Sequence, residues 1–383
     1  MVYNIYTLCY QIEIFNFMII GILKEKYTGE KRVPLTPDSV KKIIDLGYEI
    51  CFENNCGIDS NFLNQDYINA GGILKENYRD VINHSDILIK VNLLIDDEIQ
   101  ILKPNQILLG LFQPYNTDYI EKLKSKKTII YALEKLPRIS RAQSMDILSS
   151  QANLSGYKSV LIAANKYSKI FPMLMTSAGS LKPARLLVMG IGVAGLQAIA
   201  TAKRLGCIVE ATDLRPETKE QSESLGAKFL DVPLTDEEKK ILENSGGYAP
   251  DLGEDYKERQ KKLISKSISN SDIIITTALI PGKKAPILIS SEDILSMKSG
   301  SIILDMASEH GGNTSLTQPN SEIVTENGVN ILGVANIPST CPADSSFLFS
   351  NNIFNFIKAV FQIDKSENTI INIDNELIES TLI

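Results

Sequence analysis

Short apolar runs alternate with amphipathic stretches along the chain from Met18 onward. In the N-terminal part, the apolar runs predict strands at 19–23, 48–53, 87–91, 107–112 and 128–133. After the first run, Thr36 and Pro37 predict the start of a helix over 37–46, because threonine is a favoured N-cap and proline fits the first helical position. Strands that alternate with helices predict a parallel sheet with helices on both faces.

A second series of strands is predicted after Pro183, at 185–189, 207–212, 228–231, 272–277, 301–306 and 329–334. Between the two series, the stretch from Ser140 to about Tyr167 lacks proline and has a helical pattern, so it predicts a connecting helix. From Asp344 onward, apolar residues recur along one side of a helix that we expect to pack back on the first domain. These residues are Phe347, Phe349, Ile353, Phe354, Phe356 and Ile357.

The predicted fold class is α/β, with two Rossmann-like, doubly wound parallel-sheet domains joined by a long helix. The first domain is discontinuous and comprises residues 18–137 plus 340–383. Residues 138–167 form the connecting segment and helix, and residues 168–339 form the second domain.

Two stretches depart from this pattern. We interpret residues 1–17 as a misassigned start or a dispensable extension, because Met18 opens a clean strand; a genuine but disordered extension is the alternative. Residues 236–266 are charged and include Gly246-Gly-Tyr-Ala-Pro250, which predicts a long exposed excursion or a plain surface insertion.

Composition narrows the classes of function. The chain has 383 residues with 39 Lys and Arg against 46 Asp and Glu, and this net charge of −7 argues against nucleic-acid binding. The five cysteines lack CxxC pairing or metal-ligand spacing, so we expect a reducing compartment and no metal site. No apolar run is long enough for a transmembrane helix. The two histidines, His84 and His310, leave few candidates for the commonest acid–base side chain.

A glycine-rich turn, Gly190-Ile-Gly192-Val-Ala-Gly195, follows a predicted strand and precedes a predicted helix. In that context Gly190 permits the tight turn, Gly192 lets a pyrophosphate approach the backbone, and Gly195 lets the helix pack close to the strand. The free N–H groups at the helix start favour a phosphate. The pattern therefore predicts a dinucleotide site.

The next predicted strand ends at Asp213, and an acidic side chain there accepts hydrogen bonds from the two ribose hydroxyls. It also repels the 2′-phosphate of NADP, so we expect NAD(H) as the cofactor. Arg215 complicates this expectation, because an arginine accommodates a 2′-phosphate.

Further motifs resemble the alanine dehydrogenase/transhydrogenase superfamily. Its opening is similar to Ile22-Leu-Lys-Glu25 and Gly29-Glu-Lys-Arg-Val-Pro-Leu-Thr-Pro37. One branch, the NAD(H)-binding alpha subunit (domain I) of proton-translocating NAD(P) transhydrogenase, resembles Arg138-Ile-Ser-Arg-Ala-Gln-Ser-Met-Asp-Ile-Leu-Ser149. The stretches 189–213, 246–249 and Thr276-Thr-Ala-Leu-Ile-Pro-Gly282 resemble the same branch, and the resemblance covers about residues 18–361.

Alanine dehydrogenase is the competing branch. It resembles this chain at Arg32 and Lys90, which in that enzyme help to hold the substrate carboxylate and carbonyl. Gln113 stands where that enzyme has its catalytic histidine, and Glu309 stands where it has its catalytic aspartate. Oxidation of an amino acid requires a group that takes up a proton, and glutamine does not titrate. Hydride transfer between two nicotinamides needs apposition and exclusion of water instead, which favours the transhydrogenase.

The resemblance implies that Arg138, Gln143, Asp146 and Ser149 surround the nicotinamide and its ribose. Gln143 is then placed to reach the NADP(H) on a partner subunit. The spacing of Gln143, Asp146 and Ser149 puts them on one side of a helix. The alternative is a polar helix N-terminus, with Ser140 as the cap and Gln143 as its capping-box partner.

Other cofactor contacts are implied by the same resemblance. They are spread over the glycine turn, the end of the second strand, the charged excursion and the end of the fourth strand of the second domain. The residues are Val193, Leu214, Arg215, Gly247, Tyr248, Gln260, Ala278 and Leu279. In the family, the excursion is a loop that closes over NAD(H).

The resemblance also implies partners. The chain is similar to the separate-subunit arrangement, in which the membrane subunit and the NADP(H)-binding beta subunit are other polypeptides. We then expect a homodimer that is peripheral on the cytoplasmic face of the inner membrane, with proton translocation carried out by the partners. Two alternatives remain at this stage: an alanine dehydrogenase-like oxidoreductase, and a non-enzymatic NAD(H)-sensing module.

Overall fold

The computed structural model describes residues 18–215, 217–233, 235, 253–363 and 376–383, and the backbone alone at 12–15 and 369–372. Gly247, Tyr248 and the rest of the excursion from 236 to 252 lie outside the described residues. The chain divides into two compact units, Met1–Gln151 with Pro338–Ile383, and Ala152–Ile337.

Every strand that an apolar run predicts is present, and further short strands accompany them. The bounds in chain order are β1 Ile12–Phe15, β2 Ile19–Ile22, β3 Glu49–Glu53, β4 Ile73–Lys75, β5 Ile87–Lys90, β6 Ile107–Gly110, β7 Ile129–Ala132, β8 Leu174–Thr176, β9 Gly179–Leu181, β10 Arg185–Met189, β11 Ile208–Thr212, β12 Lys228–Phe229, β13 Ile273–Thr276, β14 Ile302–Asp305, β15 Ser321–Val324, β16 Asn330–Gly333, β17 Phe361–Ile363 and β18 Thr369–Asn372.

Helices occupy most of the segments between these strands. The α-helices are α1 Pro37–Ile44, α2 Asn64–Asn69, α3 Tyr78–His84, α4 Asp96–Gln100, α5 Thr117–Lys124, α6 Ile147–Lys166, α7 Val193–Arg204, α8 Thr218–Ser224, α9 Glu254–Asn270, α10 Ser291–Ser296, α11 Pro342–Val360 and α12 Glu376–Thr381. Short 3-10 helices span Ile58–Ser60, Leu133–Lys135, Ser140–Met145, Ser308–His310 and Ile337–Thr340. Among the described residues, no helix is both long and apolar enough to cross a lipid bilayer.

The first unit contains a six-stranded parallel sheet in the order β4-β3-β2-β5-β6-β7. The strand order reverses between β2 and β5, where Ile22 pairs with Ile89. The central strands are buried on both faces, which explains their continuous apolar runs. A separate antiparallel sheet joins the backbones of β1, β18 and β17.

The long C-terminal helix α11 packs in the core of the first unit. Phe349, Ile353, Phe356 and Ile357 are fully buried in the same apolar cluster as residues of β2 and β5. Phe347 was expected on this side of the helix, and that expectation is wrong: its side chain is 47% exposed. It precedes Phe349 by only two residues, and a step of two on a helix places it away from the buried stripe.

The second unit contains a seven-stranded sheet in the order β12-β11-β10-β13-β14-β16-β15. All neighbours are parallel except β15 and β16. The strand order reverses between β10 and β13, so their carboxyl ends border the crevice where doubly wound sheets bind ligands. The two parallel-sheet α/β units confirm the predicted fold class.

The predicted helix from Ser140 to about Tyr167 is in fact two elements. A 3-10 helix over Ser140–Met145 is followed by α6, and Asp146 between them has φ −73° and ψ 89°, which is not helical. Asp146 accepts a hydrogen bond from the backbone N–H of Ser149 at 2.9 Å, the bond of a helix N-cap. The break therefore marks the true start of the connecting helix.

Candidate functional site

The glycine turn lies between β10 and α7, at the reversal point of the second sheet. Gly190 has φ +99°, and a Cβ on it would lie 2.6 Å from the hydroxyl of Thr277. A Cβ on Gly195 would lie 2.0 Å from the carbonyl oxygen of Gly190. These two glycines are therefore required by the fold itself, as the sequence predicts.

Gly192 differs from its two neighbours in this turn. It is the N-cap residue of α7, its φ of −86° suits any residue, and a Cβ on it would meet no atom within 4 Å. The fold gives no reason for glycine at this position. The open space in front of the first turn of α7 is the place where a pyrophosphate would approach the helix N–H groups.

Thr277 fastens the turn to the neighbouring strand. Its hydroxyl donates to the carbonyl of Gly190 at 2.9 Å, and its backbone N–H donates to the carbonyl of Met189 at 2.9 Å. Sequence reasoning missed this residue. The signal was a threonine directly after a buried strand, next to the expected contacts Ala278 and Leu279.

Asp213 follows β11 and lies beside the glycine turn. Its Oδ2 accepts the backbone N–H of Ile191 at 2.6 Å, and its Oδ1 accepts the backbone N–H of Arg215 at 2.9 Å. The guanidinium of Arg215 also reaches it, with Nε 3.0 Å from Oδ1 and Nη2 3.0 Å from Oδ2. Burial favours the protonated acid, but these bonds hold the pKa of Asp213 below its usual range, so it is ionised at neutral pH.

The loop after β13 carries Ala278 and Leu279 and is held by Asn313. The Asn313 amide donates to the carbonyls of Ala278 at 2.9 Å and Pro286 at 2.8 Å. Asn313 is in turn fixed by Asp305 at the end of β14, whose Oδ2 accepts its backbone N–H at 2.6 Å. Sequence reasoning missed both Asn313 and Asp305, because the contacts join segments far apart in the chain.

The remaining predicted contacts of the second unit have varied positions. Val193, Leu214 and Leu279 expose 40%, 84% and 48% of their side chains, so they offer apolar surface to a ligand. Gln260 is half-buried on α9. The structure thus brings the glycine turn, Asp213, Arg215 and Ala278 to one edge of the sheet; Gly247 and Tyr248 lie outside the described residues.

The first unit carries the polar segment around the 3-10 helix Ser140–Met145. Arg138 and Gln143 are exposed or partly exposed at the surface, whereas Asp146 and Ser149 are half-buried. Asp146 Oδ2 accepts the hydroxyl of Ser149 at 2.5 Å. Within this segment, the structure therefore joins Asp146 to Ser149 directly.

The expected capping box is absent from this segment. The N-cap of the 3-10 helix is Ile139, with no side-chain cap bond, so Ser140 and Gln143 do not form the predicted pair. The segment is held instead by α11, where the amides of Asn352 and Asn355 donate to the carbonyl of Ser144 at 2.8 and 3.1 Å.

Arg32 and Lys90 are buried in ion pairs within the first unit. Arg32 forms a bidentate pair with Glu30, with Nη2 2.7 Å from Oε2 and Nε 2.8 Å from Oε1. Lys90 lies 3.2 Å from Glu25 and 3.8 Å from Glu98. Sequence reasoning missed the three glutamates.

These ion pairs accompany pKa shifts in opposite directions. Burial raises the pKa of Glu25 to about 7, against the attraction of Lys90. Burial also opposes ionisation of Glu30, but the bonds from Arg32 outweigh it and lower its pKa to about 2.

Gln113 lies just after β6 with φ +50°, and its side chain is exposed. Its backbone N–H donates to Glu134 Oε1 at 2.7 Å, and burial raises the pKa of that carboxyl. His84 lies on the surface, 3.5 Å from Glu49, and His310 is exposed in a 3-10 helix. Glu309 is exposed and accepts the backbone N–H of Asn336 at 3.3 Å.

Comparison with known proteins agrees with this arrangement. The family "Alanine dehydrogenase/PNT, N-terminal domain" matches residues 21–155, and "Alanine dehydrogenase/PNT, C-terminal domain" matches residues 159–383. The first of the two polypeptides that make up NAD(P) transhydrogenase subunit alpha in Rhodospirillum rubrum is 44% identical, over 96% of each chain. The protein of the same name from Rickettsia prowazekii is 42% identical, over 96% of this chain and 94% of its own.

Solved structures and a more distant relative define the same family. A crystal structure of transhydrogenase from Sinorhizobium meliloti has a TM-score of 0.84 at 38% identity, over 95% of this chain and 97% of its own. Alanine dehydrogenase 1 of Staphylococcus aureus is 28% identical, over 95% of this chain and 92% of its own. The chain therefore belongs to the alanine dehydrogenase/PNT family, and it resembles the transhydrogenase alpha subunits of that family over nearly its whole length.

Proposed function

We propose that this chain is the NAD(H)-binding catalytic subunit of a proton-translocating transhydrogenase, which passes a hydride from NADH to NADP⁺ on a partner subunit. The observation that carries the proposal is Gly192, a glycine that the fold does not require, at a helix N-terminus beside an ionised Asp213. The relatives above 40% identity are named as transhydrogenase alpha subunits, which supports the same activity.

The dihydronicotinamide of NADH supplies the hydride, with its electron pair, and the acceptor ring takes it without any proton transfer to carbon. The protein therefore has to position, orient and exclude water. Gln113, which does not titrate, stands at the position of the alanine dehydrogenase histidine, and this suits a transfer that uses no general base.

The proposal gives each predicted residue a positioning role. Gly190, Gly192, Val193 and Gly195 would cradle the pyrophosphate, and Asp213 would accept the adenosine ribose hydroxyls. A roof over the adenosine and the rest of the cofactor would come from the remaining contacts, Leu214, Arg215, Gly247, Tyr248, Gln260, Ala278 and Leu279.

A second group would orient the nicotinamide and its ribose, with Gln143 reaching toward the acceptor. Its members are Arg138, Gln143, Asp146 and Ser149. The bond from the Ser149 hydroxyl to Asp146 fixes the direction of that hydroxyl, and its oxygen can then accept a hydrogen bond from a ligand.

Partners complete the activity. The chain would act with a transhydrogenase membrane subunit and an NADP(H)-binding beta subunit, on the cytoplasmic face of the inner membrane. We also propose a homodimer. The hairpin of β8 and β9 supports it, because Met173, Met175 and Leu181 expose 64%, 74% and 49% of their apolar side chains, a surface that a second copy would cover.

The test mixes the purified protein with the NADP(H)-binding domain of a transhydrogenase and measures NADH-dependent reduction of an NADP analogue. A parallel assay supplies alanine and NAD. We expect activity in the first assay alone. Activity only with alanine would make the chain an amino-acid dehydrogenase, and activity in neither would make it an NAD(H)-sensing module.

A further inference from the structure

The carboxylate of Asp213 is already saturated by donors of its own chain. Oδ1 accepts the backbone N–H and the Nε of Arg215, at 2.9 and 3.0 Å. Oδ2 accepts the backbone N–H of Ile191 at 2.6 Å and the Nη2 of Arg215 at 3.0 Å. A carboxylate has about four acceptor positions, so the two ribose hydroxyls of a dinucleotide would find none open.

The four donors are of two kinds. The N–H groups of Ile191 and Arg215 belong to the backbone and stay where the turn places them. The other two belong to the Arg215 side chain, which is 52% exposed, whereas the side chain of Asp213 is only 9% exposed. The guanidinium also donates to the carbonyl of Ile191 at 3.1 Å, which holds it across the turn. Only the guanidinium can leave without disturbing the turn.

We propose that Arg215 is a displaceable counter-ion that sets the nucleotide selectivity of this site. Its Nε and Nη2 occupy the two positions on Asp213 that the ribose hydroxyls of NAD(H) require, so the guanidinium must move aside when the dinucleotide binds. It remains close to the 2′ position, where its charge offsets the repulsion between Asp213 and a 2′-phosphate. This inference rests on the proposed function, because it assumes that a dinucleotide binds at the glycine turn.

Two consequences follow for a chain that lacks the guanidinium. NADH no longer competes with an internal cation for Asp213, so its affinity rises. NADPH loses the charge that offsets its 2′-phosphate, which carries a charge of about −2, so its affinity falls. Arg215 therefore lowers both the affinity for NADH and the discrimination against NADPH.

The experiment measures the dissociation constants of NADH and NADPH by titration calorimetry for the wild type, Arg215→Met and Lys219→Met. Arg215→Met keeps the aliphatic stem and both backbone donors. Lys219→Met is the matched control, because Lys219 forms a comparably exposed ion pair with Asp231 and its substitution removes the same charge four residues away. Thermal unfolding of each variant shows that the fold is intact.

For Arg215→Met we expect NADH to bind at least about threefold more tightly and the ratio of the NADPH to the NADH constant to rise about tenfold, the factor of a 1.4 kcal/mol change. Lys219→Met should change neither. Weaker NADH binding in Arg215→Met, an unchanged ratio, or an equal effect of Lys219→Met would overturn the inference while the proposed function stands. If the wild type binds neither nucleotide, the proposed function fails as well.

Discussion

The carboxylate of Asp146 accepts two hydrogen bonds from Ser149, one from its backbone N–H at 2.9 Å and one from its hydroxyl at 2.5 Å. The first bond is an N-cap of α6, and the second fixes a hydroxyl that we assign to the nicotinamide site. One carboxylate thus serves the fold and the proposed site together, and substitutions can separate the two roles.

For Asp146, we expect Asp146→Ala to lower the free energy of unfolding by about 1 kcal/mol, because the cap is lost. Asp146→Asn keeps an oxygen that can accept the Ser149 N–H, so its loss of stability should be smaller. Both should slow hydride transfer with the partner domain by about tenfold or more, because the nicotinamide is mispositioned. Urea unfolding and the transfer assay measure the two effects. Full activity of Asp146→Asn would leave Asp146 with a structural role only.

The glycine turn offers a matched pair of substitutions. Gly195→Ala places a Cβ 2.0 Å from a backbone oxygen and should lower the free energy of unfolding by about 1–3 kcal/mol. Gly192→Ala meets no atom of the chain, so its stability should stay within about 0.5 kcal/mol of the wild type. Its NADH affinity should nevertheless fall, because the methyl group occupies the space of the pyrophosphate. Unchanged NADH binding in Gly192→Ala would place the dinucleotide elsewhere.

Asn313 should matter for NADH binding because it clamps the loop that carries Ala278. Asn313→Ala loses two bonds to backbone carbonyls, and we expect weaker NADH binding together with reduced stability. Asn327→Ala is the control, because Asn327 also donates to backbone carbonyls, at Ile294 and Met297, beside the amino end of β16. Equal NADH affinity in the two variants would contradict a positioning role for Asn313.

Glu25 predicts how the stability of the protein depends on pH. Burial raises its pKa from 4.5 to about 7, so the folded protein holds the proton more tightly than the unfolded chain. The resulting stability is complete below pH 4.5 and is lost as the pH rises to 7, by about 3 kcal/mol at about 1.4 kcal/mol per pKa unit. Glu25→Gln should abolish this decline between pH 5 and 7 in urea unfolding. An identical decline in wild type and variant would show that Glu25 does not titrate there.

Glu30 provides the opposite dependence in the same unit. Its pKa is lowered to about 2, so its contribution to stability is present above pH 4.5 and is lost as the pH falls toward 2. This acid limb should persist in Glu25→Gln, which would show that the variant is folded and responds to pH.

The strands that are buried on both faces could be predicted from the sequence, because such strands are continuous apolar runs. β5 and β13 are examples, with every residue buried. Edge strands escaped prediction: β15 alternates half-buried and exposed residues, and Ile73 of β4 is 38% exposed. The polar contacts of the site escaped for a different reason. Lys90 meets Glu25 only because β2 and β5 pair, and the saturation of Asp213 depends on the direction of one flexible side chain.

The central claim is that the hydride passes directly from NADH on this chain to a nicotinamide on its partner. The most direct measurement supplies NADH with two deuterium atoms at C4 to a mixture of this protein and the NADP(H)-binding domain, in ordinary water, and determines the mass of the reduced NADP analogue. Direct transfer predicts one deuterium at C4 in every product molecule. A product that carries hydrogen from water, or no product at all, would contradict it.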